Sequence, residues 1–249
     1  MDMQVTSSEI ALFLDFDGVL VDIAATPDAV EVDPDLPSIL TGAHTAFKTR
    51  LAIVTGRNVH DIRGFLHNID VPIYGSHGAE LAIGETVERL VEPPSDVANL
   101  TEACADFCAD HPTLSLERKP FGPAIHYRAD PPKRTIVHDF LDQLAARTAS
   151  DVVVQQAKFA YELKPKGATK RAALADAMAR FGWSPARPIH IGDDVTDESA
   201  FEIAQSMGGF GVKVGEGESI ARYRLPAPSD VKAHLQRWSD RGDVDFDQS

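Results

Sequence analysis

Cysteine is scarce in this chain: Cys104 and Cys108 are its two, four residues apart on a predicted helix. No second pair completes a zinc site and no disulfide framework exists for them to join, so both read as reduced structural thiols. Long apolar runs are absent too, which excludes a membrane span of ordinary length. The opening "MDMQVTSSEI" has neither a basic start nor an apolar signal core, and a cytoplasmic location is expected. Positive charge is in deficit, with 24 Lys and Arg against 38 Asp and Glu and a formal net charge of −14. Such a surface repels nucleic acid phosphates and anionic membranes, so neither is an expected partner, although a local basic pocket for a small anion is compatible with it. No internal repeat or low-complexity tract occurs. The tail "SDRGDVDFDQS" reads as a solvated, frayed end.

What is present is ordinary globular composition, 43% hydrophobic and 25% charged over 249 residues, enough for one large domain or two modest ones. Short apolar runs alternate with amphipathic stretches, the pattern of a parallel sheet flanked by helices. "IALFLDF" and "LAIVTGR" read as strands covered on both faces, and "DLPSILTGAHTAFKTR" and "VHDIRGFLHNI" as the helices that follow them. Late in the chain "ATKRAALADAMARFGW" is a helix closed by Gly182. "RPIHIGDDVTDE" is a strand running into an acidic turn, "ESAFEIAQSM" a helix, and "GGFGVKVGEG" a last strand. Between residues 92 and 165 the texture changes: two single helices alternate with strands paired around turns such as "PFGP". The expected organisation is an α/β core from residues 1–91 and 166–249 with an inserted α+β module at 92–165.

Asp15 and Asp17 close the first apolar run. Residues two apart in a strand point to the same side, which would converge both carboxylates beyond the carboxyl end of the sheet, where open α/β sheets bind ligands. Neighbouring carboxylates repel unless a cation lies between them. A second cluster, Asp193, Asp194, Asp197 and Glu198, ends another strand, and its hard oxygens favour Mg2+. Asp197 and Glu198 would alternatively serve as helix-capping groups. Thr55 and Gly56 offer a hydroxyl and a main-chain N–H to a phosphoryl oxygen. Lys170 begins a long helix, where an ammonium could balance phosphate or carboxylate charge. Lys164, Lys166 and Arg171 crowd the same stretch, and spacing alone does not choose among them.

The ordered set "DFDGV", "VTGR", Lys170 and "IGDDVTD" resembles the four motifs of the haloacid dehalogenase superfamily. The longer strings "YGSHGAE", "LERK" followed by "AIHYR", "YELKP" before "ATK", and "GDDVTDESAF" resemble its trehalose-6-phosphate phosphatase branch. The likeness runs from Leu12 to Val214. It implies a Rossmann-like parallel-sheet core of the haloacid dehalogenase fold, with residues 92–165 as a mobile cap. It also implies a magnesium-dependent phosphatase that converts trehalose 6-phosphate to trehalose and phosphate, the last step of trehalose biosynthesis.

Asp15 would be the nucleophile that forms an aspartyl-phosphate, and Asp17 the general acid and then base. Asp15, the main-chain carbonyl of Asp17 and Asp193 would hold magnesium, with Asp194 or Asp197 in support. Thr55 and Lys170 would hold the phosphoryl oxygens, with Lys166 as the rival lysine. Gly56, Arg57, His77, Glu117, Lys119, Arg128 and Glu162 would bind substrate. The alternatives are a phosphatase for another sugar phosphate, of the sucrose or mannosylglycerate type, and a non-catalytic regulatory phosphate-binding domain. The implied partners are a small sugar phosphate and, functionally, a trehalose-6-phosphate synthase.

Overall fold

The computed structural model describes residues 5–24, 29–67 and 69–246. A short strand β1 (Val5–Thr6) leads to β2 (Ile10–Leu14), buried at all five residues because apolar clusters lie on both faces of its sheet. The chain then alternates through α1 (Leu36–Ala46), β3 (Leu51–Val54), α2 (Val59–Phe65) and β4 (Ile73–Gly75). It doubles back through β5 (Glu80–Ile83) and β6 (Thr86–Arg89). After α3 (Val97–Ala109) come β7 (Ser115–Glu117), β8 (Ala124–His126), α4 (Arg134–Arg147), β9 (Val152–Ala157) and β10 (Ala160–Pro165). Alternation resumes with α5 (Lys170–Arg180), β11 (Arg187–Gly192), α6 (Glu198–Ser206) and β12 (Phe210–Val214). The chain closes with β13 (Tyr223–Leu225), α7 (Pro228–Arg241) and β14 (Asp243–Val244).

Eight strands form one sheet in the order β13-β12-β11-β2-β3-β4-β5-β6, parallel from β13 to β4 and antiparallel at the β5–β6 edge. From β2 the chain steps to β3 on one side and returns much later as β11 on the other. The carboxyl ends of β2, β3 and β11 therefore border a crevice at a topological switch point. Successive residues of β2 serve opposite faces: Ile10, Leu12 and Leu14 pack with α1 and α7, Phe13 and Ala11 with α5 and α6. The strands between residues 92 and 165 form a separate four-stranded antiparallel sheet, β7-β8-β10-β9. Its apolar face rests on α3 and α4 through Leu100, Cys104, Val137, Leu141, Tyr161 and Leu163. Cys104 is buried and both cysteines are free.

Two expectations for the C-terminal region are corrected. β12 is not the last strand, because β13 extends the sheet beyond it. Nor is the tail frayed: Val244 and Asp243 pair with Val5 and Thr6, and the buried Phe246 stacks on Tyr223 and His234 and meets Trp238 edge-on. Val231, Leu235 and Trp238 line one face of α7, Pro228 opens it and Gly242 ends it with φ +73°. The dense surface charge of this segment concealed that stripe. Residues 247–249 lie outside the described residues. Phe246→Ala is expected to destabilise the protein by about 3 kcal/mol in urea unfolding. A loss below about 0.5 kcal/mol, the range of ordinary surface substitutions, would return the tail to the frayed description.

Candidate active site

Asp15 follows the last residue of β2, and its main-chain N–H still donates to Ile191 of the neighbouring β11 at 3.0 Å. Its side chain is buried, accepting from the Phe16 N–H at 2.7 Å through Oδ1 and from Lys170 Nζ at 2.6 Å through Oδ2. Burial raises its pKa well above the usual carboxylate range, Lys170 opposes this, and Asp197 and Asp193 add to the rise.

Asp17 is not presented by strand pleating as the sequence suggested, since β2 ends at Leu14. The chain curls instead: Leu20 and Val21 donate to the Phe16 carbonyl, and Gly18 donates to Val21 at 2.8 Å. The turn needs a glycine, because Gly18 has φ +71° and a Cβ there would fall 2.2 Å from Asp193 Oδ2. Phe16 goes into the core and Asp17 toward the crevice, where Arg57 grips both of its oxygens, Nε at 2.7 Å and a terminal nitrogen at 2.9 Å. That guanidinium lies over Phe65, 5.2 Å from the ring centre.

Lys170 opens α5 behind the Thr169 cap, whose hydroxyl accepts from the Ala172 N–H. Its buried ammonium sits between Asp15 and Asp197, 2.6 and 2.7 Å away. Burial alone would lower its pKa, but the two carboxylates carry it far above the usual lysine value. Of the rivals, Lys166 is exposed, Arg171 pairs with Glu202 on the surface, and Lys164 is buried but donates to the Ala168 carbonyl.

Asp197 stands at the start of α6 but its side chain makes no cap bond there. Fully buried, it also accepts from His190 Nε2 at 2.6 Å and from the Asp193 and Asp194 N–H groups at 3.1 and 3.0 Å. Burial works against its charge, yet Lys170 and His190 hold its pKa well below the ordinary range. His190 is kept neutral by burial.

Among the described residues, Asp15, Asp193 and Asp197 bring one carboxylate oxygen each to within 4.8 Å of one another. Asp193 is pushed up to about 7, first by burial and then by Asp197. Two carboxylates, on Asp15 and Asp193, thus carry charge at an energetic cost that a hard divalent cation would relieve, and the all-oxygen donor set fits magnesium. Asp197 is already saturated by its four donors. The Asp17 carboxylate is occupied by Arg57, and Asp194 caps the next turn by accepting from the Val195 N–H at 2.8 Å.

Thirteen of the residues singled out from sequence line a single cavity: Asp15, Asp17, Thr55, Gly56, Arg57, His77, Glu117, Lys119, Arg128, Glu162, Lys170, Asp193 and Asp194; Asp197, Glu198 and Lys166 do not. From the second sheet, the buried Glu162 accepts from Lys119 at 2.6 Å and meets His77 Nε2 at 3.4 Å. Burial opposes its charge, but Lys119 holds its pKa down at about 2. His77 is itself made neutral by burial, so it meets Glu162 as a hydrogen-bonding ring and not as a cation. Glu117 pairs with His126 at 2.8 Å.

Thr55 is buried at the end of β3. Ser76 and His77 both have positive φ, 49° and 58°, a strained arrangement held by main-chain bonds from Ser76 to Arg57 and from His77 to Thr55. The strain lays His77 against Gly56, where a Cβ would approach its ring to 2.7 Å.

Sequence reasoning missed His190, Thr196 and Lys158. His190 sits inside a buried apolar strand and looks like a core residue, and Thr196 stands in a turn chosen for its acids. Lys158 belongs to a two-residue turn, Lys158-Phe159, joining β9 to β10. That turn lacks the Asn-Gly or Asp-Gly pair that signals a hairpin.

A family model described as Trehalose-phosphatase matches residues 13–229. The chain is similar to trehalose-6-phosphate phosphatase of Escherichia coli (strain K12), 32% identical over 234 residues that cover 92% of this chain and 86% of that protein. It is also similar to a probable trehalose-phosphate phosphatase of Sinorhizobium fredii, 33% identical over 205 residues, 82% and 77% of the two chains. Among solved structures, one described as a trehalose-6-phosphate phosphatase related protein superimposes with TM-score 0.75 at 26% identity, covering 93% of this chain and 97% of that one.

Proposed function

Because this chain belongs to the trehalose-phosphatase family, a family of phosphoric monoester hydrolases, we propose that it hydrolyses trehalose 6-phosphate to trehalose and inorganic phosphate. The observation that carries this reading is the single cavity, which joins a phosphate-type floor of Asp15, Thr55 and Lys170 to the polar side chains Glu117, Lys119 and Glu162 of the second sheet.

Asp15 attacks phosphorus as the bond to the sugar oxygen breaks, and Asp17 gives that oxygen its proton. Water then attacks the aspartyl-phosphate, Asp17 takes the water's proton, and phosphate leaves with Asp15 restored. Arg57 holds Asp17 at the crevice, and one of its two hydrogen bonds opens to leave an Asp17 oxygen for each proton transfer. Lys170 and Thr55 hold the phosphoryl oxygens, and Asp197 fixes Lys170 from beneath. Magnesium, held by Asp15, the Asp17 carbonyl and Asp193 with Asp194 in support, would neutralise charge that builds on the phosphoryl group. Positioning and charge neutralisation are what such transfers mainly require.

Residues 92–165 act as a cap on a core of residues 1–91 and 166–249, and sugar recognition falls to Glu117, Lys119, Arg128 and Glu162. Cap closure over the sugar excludes water and assembles the site. A functional coupling to a trehalose-6-phosphate synthase and a cytoplasmic location belong to the same proposal. No described helix is long and apolar enough to cross a membrane.

Phosphate release from a panel of sugar phosphates, with magnesium and with chelator, tests the reading. We expect magnesium-dependent turnover with about a hundredfold preference for trehalose 6-phosphate over sucrose 6-phosphate or mannosylglycerate phosphate, because mismatched hydroxyls leave buried polar groups of the cap unpaired. Preference for another sugar would keep the chemistry and move the substrate. Turnover of none would favour a regulatory phosphate-binding domain.

A further inference from the structure

The chain returns from the second sheet to the main sheet through the short run between Pro165 and Lys170, and an ammonium that the reaction does not use is buried against it. Along β10, Tyr161 and Leu163 face α3 and α4, so Glu162 and Lys164 face the other way. Lys164 is 2% exposed. The Glu162 carboxylate on the same face is taken by Lys119 and His77, and the acceptor that Lys164 Nζ reaches among the described residues is the Ala168 carbonyl. Keeping an ammonium inside without a carboxylate of its own is costly, and burial pushes its pKa down to about 8 against the pull of Glu162.

The carbonyl it holds lies at the junction of the two sheets. Ala168 is buried with Ala79, Phe121 and Val91, where the β7–β8 loop meets the main sheet. The Ala168 N–H donates to Pro165 at 3.0 Å and the Lys166 N–H to Asp151 at 3.1 Å, which closes the turn at both ends. Next come Thr169, the cap of α5, and Lys170. The turn therefore sets the separation between Glu162 on the sugar side of the cavity and Lys170 on its phosphate side.

We propose that Lys164 is a positioning residue: by holding the Ala168 carbonyl it pins the end of β10 to the start of α5, so that the sugar contacts of the second sheet and the phosphoryl contacts of the main sheet keep one separation. This rests on the phosphatase reading above. A substrate that spans both halves needs that separation, whereas a small aryl phosphate engages only the main-sheet half. Lys170 keeps its own seat through Asp15, Asp197 and the Thr169 cap whether or not the pin is present.

The test compares wild type, K164M and K164R in kcat/KM for trehalose 6-phosphate and for p-nitrophenyl phosphate, with hydrogen–deuterium exchange of residues 163–170 measured alongside. Methionine keeps much of the side chain's bulk without its N–H donors, and arginine restores them. K164M should lower kcat/KM for trehalose 6-phosphate by about tenfold to a hundredfold, the scale of a small misplacement away from the chemistry, and leave p-nitrophenyl phosphate within about threefold. K164R should recover most of the loss. Amide exchange in residues 163–170 should quicken by about fivefold to tenfold in K164M while α7 exchanges as in wild type. Equal losses on both esters would make Lys164 merely structural and overturn the proposal, as would wild-type turnover of trehalose 6-phosphate by K164M. If K164M did not fold, K164Q, whose amide is too short to reach Ala168, would be read against K164R with the same two esters. If the wild type did not turn over trehalose 6-phosphate, the functional reading would fall on its own. The exchange measurement would then decide the pin, unchanged protection of residues 163–170 in the variant overturning it.

Discussion

Asp15→Asn is expected to lower phosphate release from trehalose 6-phosphate by about four orders of magnitude or more, the scale seen when a covalent nucleophile is removed. The amide cannot form the acyl-phosphate, and it also loses a carboxylate from the group formed with Asp193 and Asp197. Stability should move the other way. Asp15 is a buried carboxylate whose charge is opposed by burial and by Asp197 and Asp193 and only partly offset by Lys170, so a neutral isostere relieves a net cost to the fold. The thermal midpoint in magnesium-free buffer should therefore stay level or rise. Activity of Asp15→Asn within tenfold of wild type would sink the covalent mechanism. Loss of activity together with a collapsed midpoint would instead assign Asp15 a structural role.

Lys170→Met carries the second large effect, and here activity and stability fall together. The lysine is 2% exposed and is the cation between two buried carboxylates. Its removal leaves Asp15 and Asp197 facing each other uncompensated, a situation that costs about 3–5 kcal/mol when one partner of a buried pair is deleted. Chemical unfolding should register that loss. Turnover should fall by about a hundredfold or more for want of the phosphoryl contact.

A double variant separates the two consequences. Adding Asp15→Asn to Lys170→Met should return part of the lost stability, because one of the stranded carboxylates disappears, while activity stays absent. Strict additivity of the two stability changes would show that the ion pair is not the source of the loss.

Much of this site is legible in the linear chain because its residues stand where local rules place them. Asp15 and Asp193 follow apolar strands, Thr55 follows another, and Lys170 opens a helix behind a threonine cap. Each lies by that fact at the carboxyl edge of a parallel sheet. Glu117, Lys119 and Glu162 were reached through resemblance, since alternation along a short strand says which residues share a face but not what that face covers. Lys158 was lost because a Lys-Phe turn bears no hairpin signature, and Phe246 because a charged segment hid the apolar stripe of α7.

The sequence by itself determined the alternating α/β architecture, the separate texture of residues 92–165 and the four acidic and basic punctuation points of the site. These follow from hydrophobic periodicity and from residues adjacent in the chain, except that the resemblance, not the spacing, singled out Lys170 among its neighbours. Only the tertiary structure decided which charges are spent and which remain available. Asp17 is claimed by Arg57 40 residues away, and Asp197 by Lys170 27 residues before it and by His190. Lys170 in turn meets Asp15 across 155 residues. The free energy of a buried charge depends on its desolvation and on the partner beside it, and both are set by long-range packing that no local pattern encodes.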